Sequence, residues 1–355
     1  MNSSSLKEKR ILFITHQLSY TGAPLVLLDV IKTYIKYGCR ADVITMADGE
    51  LKKELIKLGI TPILKERFFH DREEFASSVS SYDLVWINTL VGYEAVYAMM
   101  LSDVKTIWWI HEGEQYFEYF KTVLPNMSRL TPNIKVISVS SYVQNAILKR
   151  YSAQTEILHA KIEDVPASPD IKKSEKVKFL TAGTMSTLKG QDILAMAIRL
   201  LEDGYMEKSE FYFCGNEDVY DENIKEAVDK LDSDFDNVFL LHRLSHEATL
   251  KQMEESDCLI VPSRVEPLSA VAGEMCMKCG VCIITDICGF ATYIKDGKNG
   301  FTVPPENPAL LAEKIRFVID NRDSLKDIGK EARLVYENHF SPKVIDKRLI
   351  ELFDI

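Results

Sequence analysis

At 355 residues, 46% apolar and 27% charged, the chain has material for more than one buried core, and two domains are expected. A formal net charge of −10 excludes a protein built mainly to grip nucleic acid, whose phosphates call for clustered Lys and Arg. The first apolar run, ILFIT after MNSSSLKEKR, is shorter than a secretion-signal core, and no stretch approaches the roughly 20 apolar residues that span a bilayer.

A soluble cytoplasmic chain is therefore expected, with peripheral contact at the inner face of a membrane left open, and its seven cysteines are expected to stay reduced. From the N-terminus, β-branched and aromatic runs alternate with segments of helical period: ILFIT at 11–15, ADVITM at 41–46, YDLVWIN at 82–88, then VKTIWWI and IKVISVS. Between the first two runs, Val26, Leu27, Val30, Ile31, Tyr34 and Ile35 recur at helix spacing, and Gly38 closes the segment. This strand-helix-strand rhythm predicts a parallel sheet.

The rhythm lapses near 164–175, where Pro166, Pro169 and the charged run IKKSEKVK predict a linker. It resumes as KFLTAG, FYFCG, VFLL, CLIVPS and CIITD. The fold class expected is α/β, with two doubly wound Rossmann-like domains, 1–165 and 172–340, facing across a cleft. A closing helix in 341–355 is expected to pack back on the first domain.

Open parallel sheets bind ligands beyond the carboxyl ends of their strands, so those ends are where chemistry is sought. After ILFIT, Gly22 in HQLSYTGAP can bring a backbone amide close to a phosphate at a helix start. The loop lacks the G-x-G-x-x-G spacing of a dinucleotide turn, which removes the main support for hydride transfer. His111 ends the run WWIH, and the following QYFEYFKTVL places Tyr116, Phe117, Phe120, Val123 and Leu124 on one predicted helical face. That face is either core, or a lipophilic acceptor groove or membrane-touching helix on the first domain. After KFLTAG, Lys189 and Gly190 precede a helix, where an ammonium can neutralise a departing diphosphate.

After CLIVPS comes RVEPLSAVAGEMCMKCG. Pro267 suits a helix first turn, and the free amides of Leu268, Ser269 and Ala270 would face an anion. Glu266 and Glu274, eight positions apart, would lie roughly 12 Å apart along a continuous helix, less if the first turn is loop. That span suits one carboxylate on a sugar and the other on a ribose. His242 and His246 have a metal-ligand spacing without a third ligand nearby. Cys276, Cys279, Cys282 and Cys288 have partly cluster-like spacing, but with Cys276 and Cys279 in a predicted helix ended by Gly280, and Val281 to Asp286 a strand, they read as small apolar residues.

With these residues in place, the chain resembles glycosyltransferase family 4 of the GT-B fold over most of its length. The resemblance rests on Glu266 and Glu274 with the following MCMKCGVCIITDICGFATYIKDGKNGFTVPPEN, Lys189-Gly190, the Cys214-Gly215 turn, Gly22, His111, and Ser140 in ISVSSYVQNAIL as a helix cap. It implies a retaining transferase that takes a sugar from a nucleotide diphosphate donor of unidentified base to a glycan or lipid-linked acceptor in surface polysaccharide biosynthesis, without a metal cofactor. Glu266 would touch the transferred sugar, Glu274 hold the ribose hydroxyls, and Lys189 bind the diphosphate. Amides at Gly22 and from Leu268 to Ala270 would complete the phosphate cradle, with His111 beside the reacting sugar. Thr184, lining the donor site after Gly183, stands where the family often has an arginine, and Arg243 and Arg264 are candidates to replace it. Thr21-Gly22 stands where paired glycines are usual. The alternatives are a non-catalytic GT-B partner of another transferase, and a nucleotide-sugar epimerase or phosphorylase on the same fold.

Overall fold

In the computed structural model the described residues are 6–68, 71–166, 174–215 and 221–354. They divide into two compact units, one formed by Met1–Lys161 with Pro342–Ile355 and the other by Ile162–Ser341. The predicted linker at 164–175 lies largely outside the described residues.

The first unit runs β1 (Arg10–Thr15), α1 (Gly22–Lys36), β2 (Arg40–Thr45), α2 (Lys52–Lys57), β3 (Ile63–Leu64), α3 (Arg72–Ser78), β4 (Leu84–Asn88), α4 (Tyr93–Met99), β5 (Thr106–Ile110), α5 (Glu114–Tyr119), β6 (Ile134–Ser138), α6 (Ser141–Tyr151) and β7 (Glu156–Ile157). Its seven strands are all parallel, in the order β3-β2-β1-β4-β5-β6-β7. The continuous apolar runs of β1, β4 and β5 are buried throughout, as expected of strands covered on both faces. Ser140 caps α6, its hydroxyl accepting from the Val143 amide at 3.4 Å.

The second unit runs β8 (Val177–Ala182), α7 (Gln191–Arg199), α8 (Asp203–Met206), β9 (Ser209–Cys214), α9 (Glu222–Asp234), β10 (Val238–His242), α10 (His246–Glu255), β11 (Cys258–Val261), α11 (Ala270–Met277), β12 (Val281–Thr285), β13 (Phe301–Val303), α12 (Pro308–Asp320) and α13 (Leu325–His339). Its six parallel strands are ordered β10-β9-β8-β11-β12-β13. Stacked Phe179 and Phe211, 5.1 Å apart, anchor a core shared with Ile193 and Ile198 of α7, Leu231 of α9 and Ile315 of α12.

The last helix, α14 (Pro342–Asp354), belongs to the first unit. Tyr34 of α1 donates its phenol to the Leu349 carbonyl at 2.9 Å, and Asp346 pairs with Lys161 at 3.4 Å, both side chains nearly buried. Leaving either charge without its partner would be costly, so the pair fixes where the helix lies.

Three sequence expectations change. The predicted helical face after His111 does not exist, because α5 ends at Tyr119. Phe117 is core at 1% exposure, while Tyr116 and Tyr119 are exposed. Pro267 is not in a helix first turn, since α11 starts at Ala270 with Ser269 as its cap residue. Cys279 lies beyond α11 with φ 57°, not inside it. Cys276, Cys282 and Cys288 are buried, and among the described residues no cysteine is disulfide-bonded.

Candidate functional site

Each sheet reverses its strand order once, between β1 and β4 in the first unit and between β8 and β11 in the second. Ligands of open α/β sheets gather in the crevice outside such a reversal. The sequence candidates divide between these two places.

In the second unit, the chain leaving β8 forms a 3-10 turn over Thr187–Lys189 and passes through Gly190. Gly190 has φ 68°, and a Cβ there would stand 2.1 Å from the Pro262 carbonyl, so only glycine lets the two loops approach. That approach brings Lys189 to Glu266, and the ammonium and carboxylate form a short ion pair. Burial alone would lower the Lys189 pKa, but the charge of Glu266 and the hydrogen bond to it outweigh burial and raise it.

Residues at the end of β12 and just after it hold the β11–α11 loop from behind. The Gly289 amide donates to the Glu266 carbonyl at 2.8 Å, the Cys288 thiol to the Leu268 carbonyl at 3.4 Å, and the Thr285 hydroxyl to the Ser263 carbonyl at 2.7 Å. Burial first, then the nearby Glu266 charge, pushes the Cys288 thiol well up, so it stays a neutral donor. Beyond this loop, the first-turn amides of α11 have no acceptor within the helix and carry its positive dipole end. Glu274 lies one turn further along α11, where His246 at the start of α10 contacts its Oε1 at 2.8 Å. Thus His246 is a partner of Glu274. Among the described residues no group of three or more His, Cys, Asp or Glu is disposed to hold a metal.

Thr184 is half-buried, and its carbonyl accepts from Gln191 at 3.1 Å. Arg264 does not replace a cation there. Its guanidinium grips both Asp192 oxygens at 2.8 and 2.6 Å and also meets Glu306. The hydrogen bond to Asp192 is the main reason its pKa is raised. Arg243 is exposed and follows β10, an edge strand two places from β8.

In the first unit, Gly22 is the first residue of α1, exposed, and a Cβ built there meets nothing within 4 Å. The helix start is tied to β4 because buried Asn88 donates its amide to the Ala23 carbonyl at 3.1 Å. That bond fixes which way the Asn88 amide faces, leaving Oδ1 toward His111 Nε2 at 2.9 Å. By this network, Nε2 of His111 carries the proton and Nδ1 is the acceptor. Burial, and secondarily His16, lowers the His111 pKa to about 3, and burial lowers that of His16 to about 4.

Thr89 has φ 73° and ψ 163°, a region for which glycine is the usual residue. It is held there by Trp108, whose indole donates to its carbonyl at 2.8 Å, and its hydroxyl shares a 3.2 Å hydrogen bond with His16 Nδ1. Glu112 accepts from the amides of Leu90 and His111 at 3.0 and 3.1 Å. Burial nevertheless pushes its pKa up to about 7.

Sequence reasoning missed His16, Asn88, Thr89, Glu112, Gln191 and the partnership of His246. Asn88 ends β4 and Thr89 follows it as directly as His111 follows β5, so the strand-end rule applied to YDLVWIN would have found them.

Comparison with known proteins agrees with this architecture. The family model for glycosyl-transferase family 4 matches residues 7–168, and that for glycosyl transferases group 1 matches residues 165–335. An uncharacterised glycosyltransferase of Methanocaldococcus jannaschii is 27% identical over 225 residues, a match covering 62% of this chain and 57% of that relative's length. Among solved structures, HepE of Anabaena in complex with UDP superposes with a TM-score of 0.80 at 18% identity, over 97% of this chain and 99% of that one. A glycosyltransferase from Rickettsia africae gives 0.79 at 19% identity over 98% of both chains. These solved structures share its fold of two Rossmann-like domains. Matched by the two family models in succession from residue 7 to residue 335, the chain belongs to the group 1 glycosyltransferases of family 4 type.

Proposed function

We propose that the chain is a retaining glycosyltransferase that moves a sugar from a nucleoside diphosphate sugar to a glycan or lipid-linked acceptor in surface polysaccharide assembly. The observation that carries this reading is the Lys189–Glu266 pair at the β8–β11 reversal, next to the N-terminus of α11, with Glu274 further along the same helix. A diphosphate over those amides would draw the Lys189 ammonium toward it, freeing Glu266 for the hydroxyls of the sugar. Glu274 would take the ribose hydroxyls, its carboxylate oriented by His246.

In the proposed reaction, the bond from the anomeric carbon to the diphosphate oxygen breaks as the acceptor oxygen bonds on the same face. The acceptor's proton passes to the departing diphosphate. Lys189 and the α11 amides stabilise the charge that develops on that leaving group. They supply positive charge without a metal ion, so activity in the presence of a chelator is expected. Our assignment for His111 is a neutral hydrogen-bond partner of the reacting sugar.

Thermal-shift screening with UDP, GDP, ADP and their sugars, with EDTA present, would identify the donor, since a ligand of the native state raises its apparent stability. UDP is the first to test, because HepE was solved with it. Transfer by Glu266→Ala is expected to fall at least about 10²–10³-fold. Glu274→Ala is expected mainly to weaken donor binding. Full activity in both variants would show the site assignment to be wrong. The second reading, a non-catalytic partner subunit, draws on Thr184 and on the engagement of Arg264 with Asp192 and Glu306. Donor hydrolysis or transfer by the purified chain alone excludes it.

The lipid-linked form of the acceptor implies peripheral membrane contact. The support is the exposed rings of Tyr116 and Tyr119 on α5, a few residues after His111. Among the described residues no helix is long and apolar enough to cross a membrane. Co-sedimentation with anionic vesicles is expected to drop several-fold when both tyrosines become serine, and an unchanged bound fraction would remove this part of the proposal.

A further inference from the structure

Arg264 stands two residues before Glu266, and every N–H of its guanidinium already has an acceptor within the second unit. Nη1 donates to the Thr187 carbonyl at 2.7 Å and to Asp192 Oδ1 at 2.8 Å, Nη2 to Asp192 Oδ2 at 2.6 Å and to Glu306 Oε2 at 3.3 Å, and Nε to the other Glu306 oxygen. A guanidinium has five N–H groups in a fixed fork, so this one reaches a ligand only by giving up a bond it has. The Arg264 and Asp192 side chains are 20% and 17% exposed, partly withdrawn from solvent, where a bidentate pair is stronger. The function of Arg264 therefore lies in what it holds.

It holds the turn that carries Lys189. Thr187, whose carbonyl it takes, opens the 3-10 turn Thr187–Lys189, and the backbone amides of Arg264 and Val265 both donate to the next carbonyl, that of Leu188, at 2.9 and 3.2 Å. Asp192, in the first turn of α7, fixes the far side of the same turn, beyond Gly190. Glu306, on the loop after β13, meets the guanidinium from a left-handed conformation, φ 56°, that a residue with a Cβ seldom adopts. Loops that follow β8, β11 and β13 thus meet on one side chain.

We infer that Arg264 is a positioning residue for Lys189: it clasps the β8–α7 turn so that the ammonium exchanges Glu266 for the donor's diphosphate by side-chain movement alone, on a backbone that stays in place. This rests on the donor site proposed above, in which Lys189 meets the diphosphate. A charge held in place stabilises a leaving group without reordering at the moment of reaction, and a turn free to shift would lose that advantage. A purely stabilising Arg264 would act whether or not Lys189 is present. A positioning Arg264 acts only through it.

The test is a double-mutant cycle read by calorimetric titration of the full chain with UDP, GDP and ADP and with uridine, guanosine and adenosine. The clasp is opened by Arg264→Met together with Asp192→Asn, which leaves no unpaired carboxylate at position 192, and separately by Arg264→Lys, which keeps the charge but loses the fork. In the wild-type background each change is expected to weaken binding of the preferred diphosphate about tenfold and to leave binding of its nucleoside unchanged. With Lys189→Met and Glu266→Gln already in place, the same changes are expected to alter diphosphate binding less than about twofold. Arg264→Lys carries the test alone if the methionine variant fails to fold. An equal loss in both backgrounds would show that Arg264 acts independently of Lys189, and wild-type affinity in either folded variant would show that the clasp does not set the lysine. Either result overturns the inference while the donor site stands. If the wild type binds none of the three diphosphates, the donor reading and this inference fall together.

Discussion

At the β8–β11 reversal the opposed groups are an ammonium and a carboxylate, Lys189 and Glu266, with side-chain exposures of 33% and 10%. At the β1–β4 reversal burial works against charge: His16 and His111 have lowered pKa values, Glu112 has one raised to about 7, and Asn88 and Thr89 join them by hydrogen bonds. The same topology thus frames two kinds of chemistry. A charged crevice responds to a ligand's charge, while a neutral one selects by hydrogen-bond geometry. In the proposed reaction the charged crevice would stabilise the leaving diphosphate, and the other would hold the uncharged sugar by hydrogen bonds.

Replacing Lys189 with methionine is the larger test of that contrast. Transfer is expected to fall about 10²–10³-fold, because the charge facing the leaving group is gone. Stability should fall as well, by about 1–3 kcal/mol, since Glu266 is left nearly buried without its counter-ion. Adding Glu266→Gln to Lys189→Met removes that unpaired charge, so chemical denaturation should show stability recovered while transfer stays lost. If the double variant recovers transfer too, the pair is structural, and the contrast between the crevices says nothing about the reaction.

How far the sequence carried this contrast depends on what each residue's role rests on. The central strands were legible because runs such as LVWIN and TIWWI are buried on both faces and must be apolar throughout. The edge strands β3 and β7, two residues each, were not, since so short a pairing leaves no period to detect. Glu266, Lys189 and His111 could be singled out by their places after strands. The engagement of Arg264 could not, because Asp192 lies 72 positions away and the two meet only when β8 and β11 become neighbours. Likewise the bias against charge in the first crevice comes from burial. Thr89 in a conformation suited to glycine, and Glu112 with a pKa raised to about 7, depend on packing that no local pattern records.

The smaller effect tests that bias directly, through the pH dependence of stability. His16 and His111 titrate near 4 and 3 in the folded chain but near 6.5 unfolded, so the unfolded state binds more protons between those values. Their contribution makes stability rise as pH increases toward about 6.5. Glu112 has the opposite sign: folded it keeps its proton to about pH 7, unfolded it loses it near 4.5, so its contribution is present below 4.5 and declines as pH rises to 7. Between about 4.5 and 6.5 the acid therefore offsets part of the rise from the histidines. Glu112→Gln removes the offset. Urea denaturation across pH 4.5–7.5 is expected to show a rise steeper than wild type by up to about 1.4 kcal/mol per pH unit, the slope of one proton. Other titrating groups cancel in the difference between the two proteins. Equal slopes would mean that Glu112 is already ionised in the folded chain at these pH values, and that the first crevice holds a charge after all.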